Sequence, residues 1–356
     1  MIIRRYIIGE IIKPAAAILT VLVAVFASYC SVTYLTDAVG GLMSPAAVAL
    51  LIGLKIAMAF EVLLPTTLYL SVIIALARLY KDREMTALSA CGVGLGSVLK
   101  YVFLVSLPFA ALAAGASLFI RPEAYKGIYR IRAEAKASFD ISRLESNRFL
   151  EFESGRYIFF ADDMRPGRRA ALNVFIRSRE GDTWQVISAE EMIQSGRQKS
   201  GYPVMIFRNG SKVEFELSNQ GGSITRFEQA RYPIVTDAAQ SGRYRRKAAS
   251  TVHLLDSDRL EDVAELQWRL SIPLTTILLA LLAVPLSRTN PRKGKYTQWA
   301  GALIIFATYF QLFVIAKTQV ENGTVSHLIG IWWVPALLAV LILILLKTTG
   351  EVFYRR

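Results

Sequence analysis

Residues Pro14–Leu35 read PAAAILTVLVAVFASYCSVTYL, an uninterrupted run with no charged side chain. A bilayer core takes about 20 apolar residues as helix, so this run is long enough to cross one. Five further runs share the pattern: Gly53–Leu76, Val98–Ile120, Leu270–Leu286, Ala300–Ala316 and Ile329–Leu346. Of the 356 residues 53% are hydrophobic, and the mean hydropathy is +0.39. Apolar residues gathered in blocks between charged stretches, rather than scattered at helix or strand period, mark a multi-pass membrane protein. The sequence predicts six transmembrane helices in a 3+3 arrangement. Ser44–Leu76 exceeds one perpendicular span, so its first turns are expected at the interface, or the helix tilts. Arg4, Arg5 and Lys13 precede the first run as in a signal peptide. That run is too long for a signal core, and no A-x-A site follows it.

Lys and Arg set the expected orientation. Arg4, Arg5 and Lys13, then Arg78, Lys81, Arg83 and Lys100, then Arg288, Arg292, Lys293 and Lys295, then Lys347, Arg355 and Arg356 share one side. The opposite short loops, Thr36–Ala47 and Thr318–Leu328, hold none outside the membrane edge. Both termini are expected in the cytoplasm, and residues 121–267 outside, in the periplasm of a two-membrane cell. The expected domains are residues 1–120 (the start and spans one to three), 121–267 (external, with connectors) and 268–356 (spans four to six). Net charge is +13, yet residues 121–267 hold 24 Lys and Arg against 21 Asp and Glu. The excess therefore sits mostly at cytoplasmic helix ends, which reads as topology and headgroup attraction, not nucleic-acid binding. Cys30 falls in the first span and Cys91 in the loop between spans two and three, so they are not expected to pair, and the external domain has no cysteine for a disulfide. No Cys/His spacing suits a metal; His253 and His327 are isolated.

Residues 148–236 read as β-structure. Arg148–Glu153, Tyr157–Ala161, Leu172–Arg177, Trp184–Ser188, Val204–Arg208 and Lys212–Leu217 are rich in aromatic and β-branched residues. Val213, Phe215 and Leu217 alternate with Glu214 and Glu216, the pattern of a half-buried strand. Asn209-Gly210 is a two-residue hairpin signal, with further turns at Gly221-Gly222 and Glu180-Gly181-Asp182. Short, regularly spaced strands suggest a sandwich, a jelly roll or an open barrel. Pro122–Lys136 is expected to continue span three as helix. Ala239–Glu265 is a polar connector holding the basic cluster Arg243–Lys247.

Ionisable residues in or beside spans carry a cost that makes each a candidate for function. Lys55 and Glu61 are about 240° apart around their helix, with Glu61 about 9 Å deeper. They are not expected to pair, so Glu61 needs another partner or a wet cavity. Lys317 and Glu321 have the spacing of a pair. Arg121 and Arg269 mark the outer ends of spans three and four. These basic residues either anchor the helices at the interface or form a ring for an anionic lipid head. In the short loop Lys81–Ser97, Asp82 is positioned to cap a helix running to about Ala90, Glu84 lies in its first turn, and Gly92 can end it. No P-loop, no nucleophile elbow and no H-E-x-x-H occurs, and GVGLG at Gly92–Gly96 follows no strand. A transporter, receptor or assembly component is expected rather than a stand-alone enzyme.

Four stretches resemble the LptF/LptG family, the permease subunits of the bacterial lipopolysaccharide export ABC transporter. Met1–Lys13 (MIIRRYIIGEIIK) is similar to its amphipathic N-terminal helix, and Leu79–Gly92 (LYKDREMTALSACG) to its coupling-helix segment. Ala264–Leu270 (AELQWRL) and Val284–Lys295 (VPLSRTNPRKGK) resemble the segments flanking span four. The start and Cys91-Gly92 lie nearer the LptF branch than the LptG branch. The resemblance implies an external β-jelly roll that holds acyl chains. It also implies as partners a paralogous LptG-like permease, an LptB-like ATPase dimer carrying the ATP and magnesium, a single-span LptC-like protein, and lipopolysaccharide. It further implies that Glu84 is the acid that meets the ATPase, with Met85 and Leu88 as apolar contacts. For the lipid phosphates it leaves Lys55, Lys317, Arg121 and Arg269, because Ser28–Leu35 carries none of the basic residues that some members place there. The alternatives are the LptG-type role, a membrane-anchored receptor or scaffold with a ligand-binding β-domain, and a secondary transporter. The last would want paired deep acids, and Glu61 is the one deep acid in the sequence.

Overall fold

The structure is a computed structural model that describes residues 2–39, 44–137, 146–152, 157–165, 169–180, 183–197, 203–216, 222–233, 246–288, 295–326 and 329–354. The turn residues Gly181 and Gly221, the linker residues Arg243–Arg245 and His327 lie outside them. The chain divides into two compact units: Met1–Tyr29 with Gly53–Gly127 and Tyr244–Arg356, and Cys30–Ile52 with Ile128–Arg243.

Nine α-helices are described: α1 (Ile2–Val39), α2 (Pro45–Lys81), α3 (Glu84–Ala90), α4 (Leu95–Gly115), α5 (Arg121–Ala137), α6 (Thr251–Leu255), α7 (Leu260–Leu286), α8 (Lys295–Glu321) and α9 (Trp333–Tyr354). A π-helical turn, Ala116–Ile120, joins α4 to α5, so span three does continue into its connector as helix. Five stretches are long and apolar enough to cross a membrane: Ile2–Leu35, Pro45–Lys81, Leu95–Ala133, Leu260–Leu286 and Gly301–Glu321. The sixth expected span, Ile329–Leu346, corresponds to α9, which starts later than the sequence suggests. Its apolar helix begins at Trp333, not Ile329, because Gly330 turns at φ 50 and Pro335 favours a first helical turn there. At 37 residues α2 runs about 55 Å, well beyond a hydrocarbon core of about 30 Å. Pro65 removes one amide from its ladder, and Thr66 returns a side-chain bond to the Val62 carbonyl at 2.7 Å.

The helical core is centred on α7, which packs against α4, α8 and α9. Ala280 and Ala283 on α7 are fully buried, as are Leu279 and Leu282. Small side chains let helix backbones approach where lipid tails offer no competing hydrophobic drive. Tyr69 donates to the Ala302 carbonyl at 2.9 Å, and Thr275 meets Tyr309 at 2.6 Å, so these three polar tips are satisfied.

In the second unit the described strands form one antiparallel sheet in sequential order: β1 (Leu150–Phe152), β2 (Tyr157–Arg165), β3 (Ala170–Glu180), β4 (Thr183–Arg197), β5 (Pro203–Glu216) and β6 (Gly222–Pro233). A jelly roll would bring non-consecutive strands side by side; these strands make a meander. The expected hairpin at Asn209-Gly210 is absent. Those residues lie in the middle of β5, which runs unbroken where the sequence suggested two strands.

A different use of the same residues replaces the turn. Along β3 the inward side chains are Ala171, then Val174 and Ile176; along β5 they are Met205 and Phe207. In β2 they are Phe159 and Ala161, then Met164, and in β4 Ile187 and Ala189, then Met192. In β2, β3 and β4 odd positions give way to even ones once along the strand. The change falls at Asp162, Asn173, Glu190, Asn209 and Glu228, which are passed over in the pairing while the register on either side is kept. Asn173 and Asn209 have φ 48 and 47, the left-handed region that Asn tolerates. Positive φ here resets which face the chain presents, and the result is a transverse crease with one apolar face running through it.

Candidate functional site

Two places gather the polar residues that the helical unit would otherwise exclude. At the first, Glu265 on α7 is fully buried and meets three cations. Arg121 Nε donates to Oε1 at 2.9 Å, Lys317 Nζ to Oε2 at 2.6 Å, and Arg269 Nε to Oε1 at 3.3 Å. Arg121 also ion-pairs with Glu61 of α2. Glu61 thus finds its partner on a different helix.

Local structure delivers each group. Glu265 and Arg269 are one turn apart on α7. Arg121 follows the π-helical turn, whose extra residue swings the next side chain about 100° around the axis. Arg269 then ties down the connector: its NH1 donates to the Ala249 carbonyl at 3.0 Å and to Thr251 Oγ1 at 3.2 Å, and its NH2 to the Lys247 carbonyl at 3.2 Å. Trp268 lines the network, with the Lys317 ammonium 4.9 Å and the Arg121 guanidinium 5.8 Å from its ring. At the rim Arg246 meets Glu321 at 3.1 Å and Glu261 at 3.2 Å. Lys317 and Glu321 stand 4.0 Å apart, so the expected pair forms, but Glu265 is the nearer acid. Charges this deep persist only when paired and hydrogen-bonded, because desolvation costs several kcal/mol per ion.

The structure therefore brings together three of the four basic candidates: Arg121, Arg269 and Lys317. Lys55 is half-buried on α2, six residues before Glu61. Sequence reasoning missed Glu265 and Trp268. The signal was present, since Glu265 and Arg269 form an i,i+4 acid–base pair at the head of an apolar run.

The second place is the short helix α3. Asp82 does not cap it. The residue before the helix is Arg83, left-handed at φ 61 with no side-chain cap, while Asp82 closes α2 by donating its amide to the Arg78 carbonyl at 2.9 Å. Glu84 does occupy the first turn, and Gly92 at φ 86 ends the helix, with Val93 N bonding back to Leu88 O at 3.0 Å. Of the three residues assigned to this surface, Glu84 is half-buried, Leu88 is half-buried, and Met85 is 5% exposed and belongs to the chain's own core. Glu84 accepts a bond from the Tyr6 hydroxyl at 2.5 Å.

In the sheet a groove of about 700 Å³ follows the crease, lined by Phe160 and Arg226 together with Asn173, Glu190, Asn209 and Glu228. Asn173 bonds Asp162 and Asn209 bonds Glu190, each at 2.9 Å. Among the described residues no group of three or more His, Cys, Asp or Glu is placed to hold a metal ion.

Residues 5–348 match the family described as lipopolysaccharide export system permease LptF/LptG. The chain is similar to the lipopolysaccharide export system permease protein LptF of Escherichia coli strain K12, with 25% identity over 347 residues, 97% of this chain and 94% of that protein. The LptF proteins of Escherichia coli O157:H7 and Shigella flexneri match with the same figures.

Proposed function

The chain belongs to the lipopolysaccharide export system permease LptF/LptG family, and from that premise we propose that it is the LptF-type permease subunit of an ATP-driven ABC transporter. In this role it extracts lipopolysaccharide from the outer leaflet of the inner membrane and passes it to a periplasmic bridge. It is a multi-pass inner-membrane protein and a transport subunit rather than an enzyme. The observation that carries the reading is the extent of the family match, which runs from the first helix to the last and takes in the sheet between them.

On this reading α9 is the sixth span, both termini are cytoplasmic, and the meander sheet stands in the periplasm as the chain's part of a slide for acyl chains. The apolar face around Phe159, Val174, Met192 and Phe207 suits acyl chains. Among the described residues β6 is one of the two edge strands of the sheet, and it is the edge we assign to an LptC-like partner. ATP and magnesium belong to an LptB-like ATPase dimer that meets α3 through Glu84, and an LptG-like permease completes the cavity. Lipid phosphates fall to Lys55, Lys317, Arg121 and Arg269. Among the three in the network, Arg121 and Arg269 direct their planar donors at Glu61, Glu265 and the connector carbonyls, whereas the Lys317 ammonium has three donors and its closest acid takes one. Lys317 is therefore the cation best placed to accept a phosphate while Glu265 remains paired.

Purification of the full chain in detergent through a C-terminal tag, with mass spectrometry of what accompanies it, tests the reading. A P-loop ATPase, a paralogous permease and bound lipopolysaccharide are the expected companions. Recovery of the chain with a soluble periplasmic ligand and no ATPase would put a receptor or scaffold in its place.

A further inference from the structure

The N-terminal turns of α1 are bound to the cytoplasmic-side elements by more than packing. Ile7 and Ile11 are fully buried in the same apolar core as Leu79 and Met85. One helical turn after Tyr6, the Glu10 carboxylate is 7% exposed and takes Arg78 of α2 at 2.9 Å and Lys13 at 3.1 Å. Tyr6 itself reaches past α2 to α3 and donates its hydroxyl to Glu84 Oε2 at 2.5 Å. These contacts place α1, the end of α2 and α3 in one clamp.

The Tyr6 bond falls where α3 lacks its usual support. A helix start is ordinarily held by a side-chain cap. Here the capping position is Arg83 in a left-handed conformation, and its side chain makes no capping bond. Glu84 lies in that first turn, on a helix of only 7 residues. A flexible glutamate on such a helix has several rotamers to choose from, and fixing it has an entropic cost at the moment of binding. A charge-assisted bond from a phenol removes that freedom beforehand. It engages Oε2 and leaves Oε1 for a cation of the partner.

We infer that Tyr6 is a positioning residue for Glu84: its hydroxyl fixes the carboxylate that α3 presents to the ATPase, and it makes α1 part of the coupling element. The inference rests on the permease reading. Because α1 is one helix from Ile2 to Val39, with 11% of its most apolar stretch buried, the ATPase would thereby act on the first span as well as on the loop between spans two and three.

The test uses the full complex in liposomes loaded with lipopolysaccharide and measures lipid released per ATP hydrolysed. Four versions are compared: unaltered, Tyr6→Phe, Glu84→Ala and the double variant. Tyr6→Phe is expected to assemble with the ATPase and to lower lipid released per ATP about threefold, the lower end of the scale of one net hydrogen bond. In the Glu84→Ala background Tyr6→Phe should change nothing more, an outcome a general packing role would not produce. An unaltered ratio for Tyr6→Phe, an additive defect in the double variant, or loss of the assembled complex on removing the hydroxyl would each overturn the inference. If Glu84→Ala alone stays coupled, the assignment of Glu84 within the permease reading falls instead. If Glu84→Ala uncouples and Tyr6→Phe does not, only the role of Tyr6 falls.

Discussion

The charged network around Glu265 and the polar crease of the sheet are both lines of hydrophilic residues set across apolar structure, but they are held by different physics. In the network the groups are ionisable and buried: Glu265 and Arg269 have no exposed surface, and Arg121 has 6%. Its stability depends on opposite charges meeting, so each member matters through its partners. In the crease Asp162, Asn173, Glu190, Asn209 and Glu228 are all exposed. Their role is conformational, since two asparagines at positive φ let five strands change face together. A polar residue in an apolar setting thus serves as a charge in one region and as a backbone device in the other.

Substitutions can break this contrast, and the largest effect belongs to the network. Glu265→Ala removes the acid shared by Arg121, Arg269 and Lys317, and loss of one member of a buried ionic set costs about 3–5 kcal/mol. The expected result is a protein that fails to accumulate or melts far earlier in detergent; a small change in midpoint would mean that water already reaches the site. Next comes Gly210→Ala. An added Cβ would stand 2.5 Å from the Ser188 carbonyl and 2.7 Å from the Phe227 ring, an overpacking that costs about 1–3 kcal/mol. Amide exchange across β4–β6 should rise in that variant while protection in α7 stays unchanged.

The smallest effects sharpen the comparison. Asn209→Ala loses tolerance for φ 47 and the bond to Glu190, so about 1–2 kcal/mol is expected. Asn209→Gly keeps the conformation, and its cost should stay within about 0.5 kcal/mol. Equal losses from the two variants, measured by chemical denaturation of the full protein, would assign Asn209 a hydrogen-bonding role and bring the crease closer to the network in kind.

Much of this was legible before folding was considered, where a local rule applies. Apolar run length located the helices because a bilayer demands about 20 such residues. Aromatic and β-branched runs located the strands, and Gly92 was readable as a helix end because few other residues adopt φ 86. Asn209-Gly210 was readable as a residue pair that accepts positive φ, but not as a crease instead of a turn. The distinction lies in Asn173 and Glu190 on neighbouring strands, which make the same change of face at the same level. Asp82 looked like a cap because it precedes Glu84 in a loop; the Arg78 carbonyl claimed its amide for α2.

By itself, then, the sequence determined that this is a multi-pass membrane protein with an inserted β-domain, and that Glu61, Lys317, Arg121 and Arg269 stand where charge is costly. Hydrophobic length and strand period are properties of consecutive residues, so they survive without coordinates. Only the tertiary structure decided that α7 is the central helix, with 61% of its most apolar stretch buried against 11% for α1. The two are similarly apolar, and burial follows from which neighbours surround a helix. The tertiary structure also decided that Glu265 joins cations from three helices and that Tyr6 meets Glu84, 78 positions away. Such pairings depend on how helices pack, and sequence distance carries no record of them.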